Sequence, residues 1–272
     1  MYGFTFHRPT TVRQAVNLLA KHEDAKLLAG GHSLIPVMKL RLASPPVIID
    51  LSKVEGLSGV ELKGRSVVIG AMTRHDDVAN SAVLKEHLPA LAAVPGQIGD
   101  PHVRQAGTIG GSIANNDPNA DYPAACLGLG ATIVTSKRKI AADDFFTGMF
   151  STALEPDEII TKVSFPIAKK AAYQKFRHPA SGFALVGVFV AKRGSDIRVA
   201  VTGAGSNGVF RVAAFEEALK KRFSPKSIEG LSVPSSGMNS DIHANAEYRA
   251  HLVGVMARRA LAAATARGGA DD

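Results

Sequence analysis

The 272-residue sequence has one cysteine, no tryptophan and only 6% aromatic residues. A lone Cys126 excludes an internal disulfide, and by itself it cannot hold zinc or an iron–sulfur cluster, both of which need several convergent ligands. The nine histidines are scattered, with no HExxH or His/Cys cluster, so no metal site is expected. No apolar run approaches the roughly 20 residues that a membrane-spanning helix requires. The opening segment Met1 to Pro9 lacks the basic region and apolar run of a secretory signal, and the expectation is a cytoplasmic chain. Walker and GxGxxG sequences are both absent, so neither a P-loop nor a Rossmann fingerprint is present.

The net charge of +8 is carried by short, separated groups: Lys137-Arg138-Lys139, Lys169-Lys170, Lys220-Lys221-Arg222 and Arg258-Arg259. Without a basic stripe or aromatics to stack bases, these read as solvated faces rather than a nucleic-acid surface, with an anionic ligand or an acidic protein partner next in order. What is present is ordinary globular material, 46% hydrophobic and 21% charged, enough for two domains and a sizeable core.

Phe4 and Phe6 alternate on one face, and Thr11 and Gln14 have capping-box spacing before a helix carrying Val12, Ala15, Val16 and Leu19. A strand from Ala25 to Ala29 runs into Gly30-Gly31-His32-Ser33, and a helix is expected over Leu34 to Leu42. Val47 to Leu51 and Val67 to Ile69 read as strands. Thr73 is expected to cap a helix over Arg74 to Asn80, with another helical pattern from Leu84 to Ala93. The stretch Gly107 to Asp121 reads as too irregular for one element and too polar for core. Strands follow at Ala131 to Val134, Ile159 to Phe165, Tyr173 to Phe176, Phe183 to Ala191 and Ile197 to Thr202. Helices follow at Pro123 to Leu129, Val212 to Phe223 and Ala246 to Ala266, with a loop over Ser224 to Asp241. The division expected is two α/β pieces, 1–55 and 56–166, then an α+β domain over 167–272.

Paired glycines can turn successive N–H groups toward one point, making a nest for an anion. Ala29-Gly30-Gly31-His32-Ser33 and Thr108-Ile109-Gly110-Gly111-Ser112 both fit. Either alone is more often a plain turn; two together would clamp the two charged groups of a diphosphate. Asp121 could accept from ribose hydroxyls, or equally serve as an N-terminal carboxylate of the helix that follows.

Four segments, AGGHSLIPVMKLRLASPPVIIDLS (29–52), IGAMTRH (69–75), DPHVRQAGTIGGSIANNDPNADYPA (100–124) and AEYRAHLVGVMARRAL (246–261), together resemble the FAD-binding medium subunits of bacterial molybdenum hydroxylases, of the carbon monoxide and xanthine dehydrogenase kind. The resemblance runs in order over essentially the whole chain. It implies an α+β chain: a two-subdomain FAD-binding domain of the vanillyl-alcohol-oxidase (PCMH) type, then a C-terminal α+β domain with a small antiparallel sheet. It implies noncovalent FAD held by Ala29, Gly30, Gly31, His32, Ser33 and Leu34, by Thr108, Ile109, Gly110, Gly111 and Ser112, and by Asp121. Ile98, Ile160 and Lys175 match positions near the flavin ring in such proteins; core roles for the isoleucines and a solvated strand-edge charge for Lys175 are the structural alternatives.

The resemblance further implies a large partner carrying a molybdenum cofactor and a small one carrying [2Fe–2S] clusters, as a dimer of heterotrimers, with electrons passing through FAD to an external acceptor. Arg249, Arg258 and Arg259 could help dock acidic partner surfaces. Ser112 stands where asparagine is usual, and Gly182-Phe183 where an Asp-Tyr pair is common, so one cofactor hydrogen bond and one hydroxyl differ. The alternatives are a self-sufficient flavin oxidoreductase, with His75, Lys175 or His178 as acid or base, and a basic module that binds a polyanion without flavin.

Overall fold

The computed structural model describes residues 1–266. β1 (Thr5–His7) leads into α1 (Val12–Lys21), then β2 (Lys26–Leu28), α2 (Leu34–Lys39) and β3 (Val47–Asp50). The Thr11 hydroxyl accepts the Gln14 N–H at 3.2 Å, as the spacing predicts, and the Gln14 carboxamide accepts the N–H of Thr10. α2 is shorter than expected, because the chain reverses at Arg41 in the left-handed region (φ 60°). The three strands form a parallel sheet in the order β1-β3-β2. Its central strand, Val-Ile-Ile-Asp, is buried at every position, as a strand covered on both faces must be. Ala15 and Leu19 of α1 share a core with Ile49, Leu51 and Leu57.

Next come β4 (Val60–Lys63), β5 (Ser66–Gly70), α3 (His75–Asn80), α4 (Ala82–His87), α5 (Pro89–Ala93), α6 (Pro101–Ala106), α7 (Ile109–Asn115) and α8 (Tyr122–Leu129). They are followed by β6 (Thr132–Thr135), β7 (Lys139–Ala141), α9 (Ala142–Phe145), β8 (Phe146–Gly148), β9 (Ser151–Thr152) and β10 (Ile160–Pro166). Strands 4, 5, 10, 6 and 7 make an antiparallel sheet in that order. Three expectations are corrected here. Thr73 does not cap α3; its hydroxyl is tied to the backbone of Gly59, and Arg74 stands at the cap. The helical pattern over Leu84 to Ala93 breaks at Leu88, because Pro89 restricts the residue before it and starts a new helix. The supposedly irregular stretch after Gly107 contains α7, with Ile109, Gly110 and Ile113 fully buried.

The last part is an antiparallel meander, β11 (Lys170–Arg177), β12 (Ala184–Arg193), β13 (Asp196–Thr202) and β14 (Phe210–Arg211), covered by α10 (Ala213–Lys221) and α11 (Ala246–Ala266). α11 has the expected span, and its apolar positions Val253, Met256, Ala257, Ala260, Leu261 and Ala264 recur at helical spacing and pack on the sheet. The other sheet face meets α8, a wholly buried helix whose small residues permit close approach: a Cβ on Gly128 would lie 2.6 Å from the Phe189 ring. Arg249 is only 2% exposed and donates to the carbonyls of Leu185 and Gly203 and to Asp241, so it braces the interior and cannot dock a partner. Of the basic groups noted in the sequence, Lys137, Arg138 and Lys220 are paired with nearby carboxylates.

Candidate functional site

The fold brings the two glycine segments into contact. A Cβ on Gly30 would overlap the carbonyl oxygen of Ala106 and lie 2.6 Å from the Cα of Gly107; a Cβ on Gly111 would lie 3.5 Å from that of Ala29. The segments differ in what their amides do. In the first, Gly31 has φ 74°, and the N–H groups of Gly30, Gly31, His32 and Ser33 donate to no acceptor among the described residues. This loop, with His32 and Ser33 exposed and Leu34 half-buried, is an open nest.

In the second, the four amides from Ile109 to Ser112 are engaged. Ile109 N–H donates to Thr73 O (3.1 Å), Gly110 N–H to Ala71 O (2.8 Å) and Ser112 N–H to Thr108 O (3.0 Å), while Gly111 N–H donates to the Thr108 hydroxyl (3.1 Å). The expected second nest is therefore the capped start of α7. Gly110 is required by packing, since its Cβ would lie 2.6 Å from both the Cβ and the carbonyl oxygen of Ala71. What this segment brings against the first loop is Gly111; Ser112 is half-buried, and Thr108 and Ile109 are buried.

His75 supports the junction from below. Its N–H donates to Gly107 O at 2.9 Å, and its Nε2 would meet a Cβ on Gly107 at 2.6 Å. The ring is 5% exposed and lies against Tyr122, with centroids 5.3 Å apart. Burial, with a smaller contribution from nearby His32, lowers its pKa to about 4, so it is neutral at pH 7. Neither His75 Nδ1 nor the Tyr122 hydroxyl has a partner among the described residues.

α6 leads from this junction back to a second cluster. Lys175 Nζ donates to Gln97 O (3.0 Å) and to Asp121 (2.9 Å), whose other oxygen accepts from the Tyr173 hydroxyl. The Lys175 side chain is 0% exposed, so it is not a solvated strand-edge charge. Asp121 makes no helix-capping bond, because both of its oxygens face β11. Burial raises the Asp121 pKa, against the opposing pull of Lys175 and Tyr173. Ile98, one residue beyond the Lys175–Gln97 bond, is half-buried, and its carbonyl accepts from Arg104 at 2.7 Å. Ile160 is 5% exposed and belongs to the main core, opposite Thr135 in the sheet.

The loop between β11 and β12 closes over Gly99: a Cβ there would lie 3.2 Å from Ser181 O. It holds Phe183 about half exposed, preserving an aromatic face without a hydroxyl. His178 Nδ1 accepts N–H groups of Ala180 and Ser181, so its Nε2 carries the proton that bonds His243 Nδ1 at 3.0 Å. Each suggested acid or base, His75, Lys175 and His178, is thus buried or committed to the fold. Among the described residues no group of three or more His, Cys, Asp or Glu could hold a metal, no helix is long and apolar enough to cross a membrane, and Cys126 is buried with its thiol pKa pushed up. Sequence reasoning missed the roles of Gly107 and Gly99; a glycine just outside a glycine motif, with no turn to explain it, was the available signal for close backbone approach.

Residues 2–168 match the family of FAD binding domains in molybdopterin dehydrogenases. The carbon monoxide dehydrogenase medium chain of Hydrogenophaga pseudoflava is 36% identical over 280 residues, covering 97% of this chain and 98% of that one. The nicotine 6-hydroxylase medium subunit of Paenarthrobacter nicotinovorans is 39% identical over 273 residues, covering 95% and 96%. Among solved structures, carbon monoxide dehydrogenase from Hydrogenophaga pseudoflava, in a form lacking the Mo-pyranopterin moiety, superposes with a TM-score of 0.86 at 37% identity over 98% of each chain.

Proposed function

The chain belongs to the family of FAD-binding domains of molybdopterin dehydrogenases, and on that premise we propose that it is the electron-transfer subunit of a molybdenum hydroxylase, accepting electrons from an iron–sulfur partner and passing them to an external acceptor. The observation that carries this is the open nest at Gly30 to Ser33 set against a sealed second segment, since four unpaired amides in one loop suit a phosphate-bearing cofactor. Bound FAD supplies the redox chemistry, taking up and releasing one or two electrons.

The chain's own residues bind and orient. The Gly30 to Ser33 amides receive the diphosphate, and the Ser112 hydroxyl and Gly111 line the opposite wall. Ile98, Gly99 and Phe183 form the far end of the site, along α6 from the nest. There Asp121 acts through Lys175 and Tyr173, fixing the strand and the Gln97 carbonyl in place rather than touching ribose. Ile160 serves as core. Substrate oxidation is assigned to a large molybdenum-cofactor subunit and relay to a small [2Fe–2S] subunit, because a single buried cysteine builds no cluster. We place the assembly in the cytoplasm as a dimer of heterotrimers.

Two measurements test this. Mild acid denaturation is expected to release one free FAD per chain; FMN, retained flavin, or none after reconstitution rejects noncovalent FAD. Anaerobic mixing of the isolated chain with carbon monoxide, purines or aldehydes is expected to leave the flavin oxidised until both partners are added. Rapid bleaching by substrate alone overturns the subunit reading in favour of a self-sufficient oxidoreductase.

A further inference from the structure

The largest set of exposed apolar side chains lies on the N-terminal segment and the turn that ends α2, and is used by nothing described above. Tyr2, Phe4 and Phe6 alternate on one side of the N-terminal segment and are 54%, 40% and 50% exposed. Leu40 and Leu42, at the turn that ends α2, are 71% and 76% exposed. The two stretches are joined: the Arg41 guanidinium lies 5.4 Å from the centre of the Tyr2 ring, and Thr5 N–H donates to Pro46 O. Side chains of this size left in water together on one small unit mark an interaction surface.

Two observations define what covers it. The unpaired charges of the two stretches are of one sign: Arg8 is neutralised by Asp50, but Arg13, Lys21, Lys39 and Arg41 meet no carboxylate among the described residues. A second copy of the same face would oppose like charges across a twofold axis, whereas a face edged with carboxylates would complement it. β1 is an edge strand, paired only with β3, so its outer backbone groups are open. A polypeptide can satisfy those groups; lipid cannot, and burying them in a bilayer surface would cost their hydration.

We infer that this face docks another protein subunit of the same complex, through an apolar surface edged with Asp and Glu that lies along β1. The inference rests on the reading of the chain as a subunit, and names the surface through which it assembles.

The test uses the full flavin-loaded chain and its two partner subunits. The variant Phe6→Glu/Leu40→Glu/Leu42→Glu changes only half-exposed or more exposed side chains. It is expected to keep its FAD content and melting temperature while its affinity for the partners falls at least tenfold. Lys39→Glu, on the rim, is expected to slow association and flatten its salt dependence without altering the chain alone. Assembly of the triple variant within twofold of the parent overturns the inference. So does loss of anionic-vesicle binding, or of self-association measured by light scattering, with partner binding unchanged. If the parent assembles with neither partner, the subunit reading falls too, and that result is distinct from a parent that assembles and a variant that assembles equally well.

Discussion

Gly30→Ala isolates the nest from the fold. A Cβ at this position meets the carbonyl of Ala106 and the Cα of Gly107, the latter at 2.6 Å, and both are backbone atoms that cannot rotate away. Restoring an ordinary contact of about 3.5 Å requires the loop and the α6–α7 junction to part by about 1 Å. Overpacking of this kind costs about 1–3 kcal/mol. Where that cost appears depends on which side yields. The junction is held by Gly107 N–H to Val103, His75 N–H to Gly107, and the four engaged amides that begin α7, whereas the amides of Gly30 to Ser33 hold nothing. The loop therefore moves, and the strain is expressed as a displaced nest. The expected result is an FAD dissociation constant raised about 10–100-fold, each tenfold being about 1.4 kcal/mol, with an apoprotein melting temperature near the parent's. Apoprotein titrated with FAD, followed by quenching of flavin fluorescence, gives the first quantity and calorimetry the second. Gly96→Ala is the control, with nothing within 4 Å of its Cβ and no positive φ. FAD affinity within twofold of parent in Gly30→Ala would refute the assignment of the first loop to the cofactor.

Gly110→Ala should do the reverse and lower apoprotein stability, by about 1–3 kcal/mol in chemical denaturation, because its Cβ collides with Ala71 and not with a ligand. Acid unfolding should proceed in two windows. His75 titrates at 6.5 unfolded and about 4 folded, so its contribution is complete above pH 6.5 and is lost as pH falls to 4, about 3 kcal/mol in all; His75→Phe flattens that window. For Glu158, burial opposes ionisation, but Arg138, the Thr135 hydroxyl and the Glu155 N–H outweigh it and hold the pKa at about 2 against 4.5 unfolded. Its contribution, reduced by solvent around the half-exposed Arg138, is present above pH 4.5 and lost toward pH 2, and Glu158→Gln should flatten the lower window in stability measured against pH. Lys175→Met strands the Asp121 carboxylate in the interior and should cost about 3–5 kcal/mol, with Lys175→Met/Asp121→Asn recovering part of it in the same denaturation assay; equal losses would show that the ion pair is not what the interior depends on.

The regular elements were legible where one local signal sufficed. The apolar spacing of α11 and the β-branched runs of β10, β12 and β13 each carry their own pattern, and sheet and helix packing agree with it. α7 was not legible, because Thr, Gly, Gly, Ser and Asn each favour turns locally. Its stability comes from outside: Ala71 and Thr73 take its first two amides, and Gly110 packs on Ala71, a contact between residues 39 positions apart. The burial of Lys175 was hidden for a similar reason. YQKFR reads as a strand with one face in water, and only Asp121, 54 residues away, converts the lysine into an interior group. Residue types at the two loops were found from sequence; whether their amides were free was not, since that depends on acceptors supplied by other elements.

The inequality of the two glycine segments has a physical reason. Two open nests facing each other would direct unpaired N–H dipoles, each with its positive end outward, at one point, and without an anion the loops would repel. Here Thr73, Ala71 and Thr108 neutralise one side internally, and Ala29 and Gly111, and Gly30 and Gly107, rest in contact. On the proposed reading, the sealed side supplies a fixed wall and the open side keeps its four donors for the diphosphate. Binding then requires no wholesale approach of one unit to the other, only occupation of a loop already held at the right distance, which lowers the ordering cost that association must overcome. The same arrangement explains why both glycines of the first pair are needed for different reasons, Gly30 for the close approach to Ala106 and Gly31 for the left-handed turn that aims the amides.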